Sequence, residues 1–182
     1  MSKTKEQRKA ELKAVRRGTQ VSVKAQHAGP SYWLMKSEPS EFSIDDLKKK
    51  KRSRWDGIRN YQVRNMLRDE MKIGDLALFY HSSTKDIGVV GELKIIQAGY
   101  PDPTQFDQKS KYHDPLSKPE NPRWVAVNVE FVSKFDKIVP LSAIKEDRAF
   151  KHLPLVQPGN RLSIMHVSAA QYDRIYELSQ GN

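Results

Sequence analysis

The segment from Val125 to Phe131 restricts the fold more than any other part of the sequence, because every second side chain in it is apolar. These apolar residues are Val125, Val127, Val129 and Phe131. Successive side chains of a β-strand point to opposite faces, so the pattern predicts a strand with one face buried in a core.

Further strands and helices are predicted on both sides of this segment. Apolar runs predict strands over residues 32–35, 76–81, 89–97 and 162–167, and a short strand is predicted within residues 138–153. An amphipathic pattern predicts a helix over residues 61–71, and capping boxes at Ser43 and Ser168 predict two further helix starts. Because the strands do not alternate regularly with helices, we expect an α+β fold with five to six mostly antiparallel strands flanked by helices.

Two connecting segments are predicted to be irregular. The helix that begins after Ser43 is expected to end near Leu47, and the turn Trp55-Asp56-Gly57 follows a basic run. Residues 100–122 hold five of the ten prolines and are predicted to form a long loop. Loops of this length are uncommon in compact domains and are often functional.

The positive charge is concentrated at the start of the chain. The net charge is +10, and residues 1–30 hold eight Lys or Arg against two Glu. We predict a disordered basic arm over residues 1–30 and one folded domain over residues 31–180. The arm suits a localisation signal or a phosphate-binding segment equally well.

The composition excludes several classes of protein. With no cysteine there is no disulfide and no thiolate metal site. No apolar run approaches the roughly 18–20 residues of a membrane helix, and the basic N-terminal stretch lacks the apolar segment of a secretory signal. We therefore expect no membrane partner and an intracellular protein, nuclear in a eukaryote or cytoplasmic in a bacterium.

Enzyme signatures are absent from the sequence. There is no Gly-rich phosphate loop, no zinc-protease motif and no nucleophile elbow, and the five histidines show no ligand spacing. We therefore expect no metal and no cofactor. Should the protein be a nucleic-acid-processing enzyme, His81 or His113 would be the acid/base candidate.

The segment from Trp55 to Asn65 is crowded with residues that stack on bases, read their edges or hold phosphate. It reads W-D-G-I-R-N-Y-Q-V-R-N and follows the basic run over residues 48–54. Aromatic faces stack on bases, and Asn or Arg side chains read base edges. Trp55 and Tyr61 also suit a core, with Arg59 and Arg64 in solvent, and the residues alone leave both interpretations open.

Six runs in a fixed order resemble the EVE domain family across residues 31–180. They are residues 32–39, 55–65, 79–82, 88–91, 124–127 and 161–165. The resemblance implies a PUA-like fold, a small β pseudo-barrel flanked by helices. The EVE domain is similar to the YTH domain, which binds methylated adenine of RNA in an aromatic cage. EVE proteins are regarded as readers of modified bases, including methylated and hydroxymethylated cytosine of DNA. The chain departs from the family at His166, where a proline is usual.

The resemblance implies a non-catalytic, monomeric reader that binds a flipped modified base in nucleic acid, DNA in preference to RNA. By analogy with YTH domains, the base pocket is predicted to consist of Lys36, Ser37, Trp55, Asn60, Tyr61, Asn65, His81 and Ser82. Phosphate contacts are predicted for Lys48, Lys49, Lys50, Lys51, Arg52, Arg54, Arg59 and Arg64. The alternatives are the enzyme mentioned above and a protein-interaction module that uses Tyr172 and Tyr176 of the C-terminal helix.

Overall fold

A computed structural model describes residues 29–181, and the predicted basic arm lies outside them except for its last two residues. Residues 29–181 form one six-stranded sheet and four α-helices. The strands are β1 (Tyr32–Ser37), β2 (Arg52–Trp55), β3 (Leu76–His81), β4 (Gly88–Pro101), β5 (Val125–Pro140) and β6 (Ile164–Val167). The helices are α1 (Ile44–Lys50), α2 (Tyr61–Asn65), α3 (Leu141–Glu146) and α4 (Ala169–Ser179).

The sheet order is β2-β5-β4-β3-β1-β6, and only the β1–β3 pair within it is parallel. The predicted α+β fold with mostly antiparallel strands is confirmed. A parallel pair requires a long crossover connection. Here that connection, residues 38–75, carries α1, β2 and α2. It therefore holds most of the residues that the sequence singled out.

The crossover differs from its prediction at the basic run. The capping box of Ser43 and Asp46 is present, but α1 continues through Lys50 instead of ending near Leu47. The chain then forms β2, whose last residue is Trp55, so the predicted turn position of Trp55 is wrong. The cause is tertiary, because β2 pairs with β5 and places Trp55 opposite Val127.

Other boundaries shift for similar reasons. The helix predicted over residues 61–71 is α2 followed by a π-helical turn, Met66–Glu70. Strands β4 and β5 extend well beyond their apolar patterns, because their backbones pair with each other from Gly88 to Pro101. Irregular register along this pair marks bulges, which bend strands and increase their twist. The short strand predicted within residues 138–153 is the end of β5.

The core lies where the sheet meets α1, α2 and the π-helical turn. Trp33, Phe79 and Leu93 are fully buried from β1, β3 and β4. Asp75, also buried, accepts hydrogen bonds from the Trp33 indole nitrogen and from the backbone nitrogens of Ser31 and Lys72, so its charge is well solvated by protein donors. No helix of residues 29–181 is both long and apolar enough to span a bilayer.

We predict that Gly91→Ala destabilises the sheet. A Cβ at this position would lie 2.3 Å from the carbonyl oxygen of Ser133, so β4 and β5 would have to separate locally. The expected loss is about 1–3 kcal/mol of unfolding free energy, measured by urea denaturation. The control is Gly29→Ala, whose Cβ would meet nothing within 4 Å. Equal stability of the two variants would contradict the tight approach at Gly91.

Candidate functional site

A cavity of about 740 Å³ opens where the end of β1, the region around β2 and the segment before β6 meet. Its size lies within the range of small-molecule sites. The aromatic, apolar and glycine residues that line it are Phe42, Trp55, Gly57, Ile58, Tyr112 and Leu162. The charged ones are Lys36, Glu38, Glu41, Lys50, Arg54, Asp56, Arg59 and Arg161, and the serines are Ser37, Ser53, Ser82 and Ser163.

Trp55 belongs to the core and to the cavity at once. It is only 6% exposed, yet it lines the cavity. Its ring meets Phe79 edge to face at a centroid distance of 5.3 Å and Phe42 at 6.3 Å. Trp55 therefore packs in the core and also lines the cavity, so the two interpretations that the residues alone left open do not exclude each other.

The end of β1 forms a fixed wall of the cavity. The Ser37 hydroxyl donates to the Phe42 carbonyl at 2.7 Å, and the Lys36 backbone nitrogen donates to the Ser163 carbonyl at 2.8 Å. The Ser82 backbone nitrogen donates to the Ser37 carbonyl at 2.9 Å. Burial lowers the pKa of the Lys36 ammonium group, which lines the same wall.

A fully buried carboxylate, Asp102, holds the turn after β2. Its Oδ2 accepts from the Gly57 backbone nitrogen at 3.0 Å and from Arg59 Nη1 at 2.9 Å. Its Oδ1 accepts from the backbone nitrogen and the hydroxyl of Thr104 at 2.8 and 2.7 Å. Burial alone would raise the pKa of Asp102, but the hydrogen bonds from Arg59, Thr104 and Gly57 outweigh it and hold the pKa below its usual value.

The predicted long loop is ordered by a second buried side chain, Gln105. Its amide nitrogen donates to the carbonyls of Asp102 and Trp124, and its amide oxygen accepts from the backbone nitrogens of Arg123 and Trp124. One glutamine thus joins the two ends of the loop. Every hydrogen-bonding group of this buried amide is used on backbone, so the loop cannot shift without leaving polar groups unpaired.

The tip of the loop lies at the cavity. The Tyr112 ring packs against Gly57, where φ is 75° and a Cβ would come within 2.7 Å of ring carbons. Across the cavity, the Glu41 carboxylate pairs with Lys111 Nζ and accepts from the Tyr112 hydroxyl at 3.3 Å. The loop therefore supplies one aromatic residue of the cavity lining.

The structure brings four of the eight predicted pocket residues to the cavity, namely Lys36, Ser37, Trp55 and Ser82. The other four are engaged elsewhere. Asn60 caps α2 through the Val63 nitrogen, and Asn65 accepts from the Arg64 guanidinium.

The remaining two residues are also absent from the cavity lining. Tyr61, 49% exposed, stacks on Trp124 at 4.9 Å outside the cavity. His81 Nε2 accepts from the Ile44 nitrogen at the start of α1, and burial lowers its pKa. That bond uses one of the two ring nitrogens of His81.

The predicted phosphate contacts divide into three groups. Lys48, Lys49 and Lys51 are exposed on or just after α1, while Lys50, Arg54 and Arg59 line the cavity. Arg59 differs from its prediction, because its guanidinium is bound to Asp102, Thr104 and the Tyr112 carbonyl. Arg52 pairs with Glu130 at 2.8 Å, and the Arg64 guanidinium lies 4.7 Å from the Tyr61 ring centroid.

Several lining residues were not predicted. Asp56 and Tyr112 lie in segments that the sequence did single out, and Arg161 and Leu162 belong to a run that carries the family resemblance. Glu41 and Phe42 gave no signal of their own. His166, the departure from the family, lies on β6 against Trp33 and is not among the residues that line the cavity.

The structure also bears on the predicted interaction surface, on metal binding and on a second cavity. Tyr172, predicted to form an interaction surface, is 1% exposed and stacks against Tyr32, so that prediction is wrong for this residue. Within residues 29–181, no three His, Cys, Asp or Glu side chains are arranged to hold a metal ion. A second cavity of about 360 Å³, lined by residues such as Ile87, Ile138, Ser142 and Lys145, is built from other elements.

Comparisons with known proteins agree on one family. The sequence profile of the EVE domain matches residues 31–178. Human thymocyte nuclear protein 1 is 40% identical over 169 residues, which cover 82% of this chain and 74% of that protein.

Two solved structures are similar over nearly their whole length. A protein from Pseudomonas syringae is 48% identical with a TM-score of 0.80, covering 82% of this chain and 99% of that one. The human THYN1 protein in complex with 5-methylcytosine-containing DNA is 41% identical with a TM-score of 0.74, covering 82% and 98%.

Asp102→Asn is predicted to cost about 3 kcal/mol of unfolding free energy near pH 7, because an amide nitrogen would face Arg59 or Thr104. The folded-state pKa of Asp102 is lowered, so its contribution is complete above the unfolded pKa of about 3.9 and is lost as the pH falls through the folded pKa. The difference in unfolding free energy between wild type and variant should therefore narrow below about pH 4. Urea denaturation at several pH values measures this difference.

The control for this experiment is Asp107→Asn, an exposed carboxylate of the same loop, for which a change within about 0.5 kcal/mol is expected. A gap for Asp102→Asn that stays constant from pH 7 to pH 3 would show that the charge of Asp102 is not what holds the turn.

Proposed function

The chain belongs to the EVE domain family, and on that basis we propose that it is a non-catalytic, monomeric reader of DNA that carries modified cytosine. The observation that carries the proposal is the cavity with Trp55 in its lining and Tyr112 at its side. The human THYN1 protein, 41% identical to this chain, was solved with 5-methylcytosine-containing DNA, which supports the choice of ligand.

In the proposed complex the modified base leaves its stack and enters the cavity. Removing a base from the duplex costs a few kcal/mol, and stacking on an aromatic ring returns about 1–3 kcal/mol. Trp55 supplies the stacking surface, and Phe42 and Tyr112 line the space around it. The cavity thus roughly offsets the cost of extrusion, and net affinity has to come from other contacts.

The 5-methyl group by itself gives modest selectivity. Burying one methyl group is worth about 0.8 kcal/mol, which is less than a tenfold preference over unmodified cytosine. Stronger selectivity requires that the wrong base leave a polar group of the cavity unpaired.

Phosphate contacts supply most of the affinity in this proposal. Lys48, Lys49, Lys50 and Lys51 present their side chains on and after α1, next to the cavity that Lys50 and Arg54 line. Neutralising phosphates releases counterions from DNA, so binding should weaken steeply as salt rises.

The structural role of His81 favours binding over catalysis. His81, one of the two acid/base candidates, accepts a hydrogen bond from the Ile44 backbone nitrogen at Nε2. Proton transfer by that atom would uncap the start of α1, which makes His81 a structural residue in our proposal.

The proposed function can be tested by a substitution that fills the cavity and leaves the core residues in place. Trp55 is too deeply packed for this purpose, since its loss would also test folding. Ser163→Phe should place a ring in the cavity and abolish the preference for a duplex with one 5-methylcytosine over the unmodified duplex. Affinity for the modified duplex should fall about tenfold or more, as expected when one stacked base is lost.

The matched control is Ser142→Phe, the same change in the second cavity, which should bind like wild type. Fluorescence anisotropy at two salt concentrations measures both variants, and circular dichroism confirms that each is folded. A folded Ser163→Phe protein that keeps the full preference for 5-methylcytosine would rule out this cavity as the base site.

A separate prediction concerns phosphate. Lys50→Ala should reduce the slope of log Kobs against log salt by about 0.9, because one phosphate contact is lost. Lys145→Ala removes the same charge at the second cavity and should leave the slope unchanged. Equal slopes for the two variants would show that Lys50 makes no phosphate contact.

A further inference from the structure

Thymine poses a selectivity problem for the proposed reader. It carries the same methyl group at the same ring position as 5-methylcytosine, and DNA is full of it. A cavity that senses only the methyl group and stacks on the ring binds both bases equally. The two bases differ in their pairing edge, where cytosine has an amine donor beside the N3 acceptor and thymine has the O4 acceptor beside an N3–H donor. The cavity therefore needs an acceptor and a donor side by side.

Three carboxylates line the cavity and are candidates for the acceptor. Glu41 is exposed and uses both oxygens, one on Lys111 and one on Tyr112. Glu38 is also exposed and accepts from the Ser83 hydroxyl at 3.0 Å. Asp56 is the least accessible of the three, with its side chain 26% exposed. It is also the residue that directly follows the proposed stacking ring of Trp55.

One oxygen of Asp56 is held by an ion pair, and the other accepts no hydrogen bond within residues 29–181. Its Oδ2 accepts from Arg54 Nε at 2.5 Å, while no donor among residues 29–181 reaches Oδ1. The terminal nitrogens of Arg54 likewise make no hydrogen bond within the described part of the chain. The ion pair therefore presents one unused acceptor next to unused donors on the cavity lining.

We propose that the Arg54–Asp56 pair reads the pairing edge of the bound base and so rejects thymine. Asp56 Oδ1 accepts from the exocyclic amine of cytosine, and the Arg54 guanidinium donates to N3. With thymine, O4 would face the carboxylate and N3–H would face the guanidinium, so both contacts would become repulsive. Arg54, predicted from the sequence as a phosphate contact, thereby becomes a specificity residue. The inference rests on the proposed function, because it needs the base to lie in this cavity.

The test compares 5-methylcytosine, cytosine and thymine placed opposite an abasic site, so that no base pair has to be broken. Wild type should bind thymine about 10- to 100-fold more weakly than 5-methylcytosine. In Asp56→Asn the amide can turn its nitrogen to O4 of thymine, so the preference for 5-methylcytosine over thymine should fall by about threefold or more, while Arg54 keeps the remainder. The preference of 5-methylcytosine over cytosine should remain. Arg54→Gln, which removes the cationic donor, should narrow the same ratio.

The control is Asp107→Asn, which removes an equal charge from an exposed loop position and should discriminate like wild type. The inference would be overturned if wild type preferred 5-methylcytosine to cytosine but bound thymine as tightly as 5-methylcytosine. A folded Asp56→Asn protein that rejects thymine as strongly as wild type does would also overturn it. In both cases the proposed function stands. If wild type prefers none of the three bases and Ser163→Phe changes nothing, the proposed function fails and the inference falls with it.

Discussion

The cavity depends on one buried charge, the carboxylate of Asp102. Four donors from two segments converge on it, from Gly57 and Arg59 after β2 and from Thr104 after β4. A buried carboxylate is tolerated only when its oxygens are fully hydrogen-bonded, so neither segment can move away without a penalty of several kcal/mol. The positions of the Trp55 ring and of the Arg54–Asp56 ion pair follow from this constraint, because these residues lie next to the turn that Asp102 holds.

Features that depend on neighbours in sequence were predictable. The capping boxes at Ser43 and Ser168 mark the starts of α1 and α4 as expected. Alternating side chains located the first half of β5, and the absence of a strand–helix alternation gave the α+β class. In these places local hydrogen bonding and the burial of one face agree with the tertiary structure, so the sequence pattern alone is sufficient to predict the element.

Features that depend on distant pairing were not predictable. Trp55 lies on a strand because β5 offers it a partner more than 70 residues later. Asn60 and Tyr61 lie in the same conspicuous run, yet one caps α2 and the other stacks on Trp124, since the helix carries them away from the cavity. Conversely, Tyr112 and Glu41 have no shared signal in sequence, and only the ordered loop brings them together.

The pairing of β1 with β6 has a consequence for biosynthesis. The first strand of the sheet pairs with the last one, so the sheet stays incomplete until residues 164–167 have left the ribosome. The cavity wall near Ser163 joins β1 by the same late contact. Nascent chains therefore expose one edge of an apolar strand, Tyr32–Met35, until β6 is available, and in that interval the edge is open to pairing with other chains.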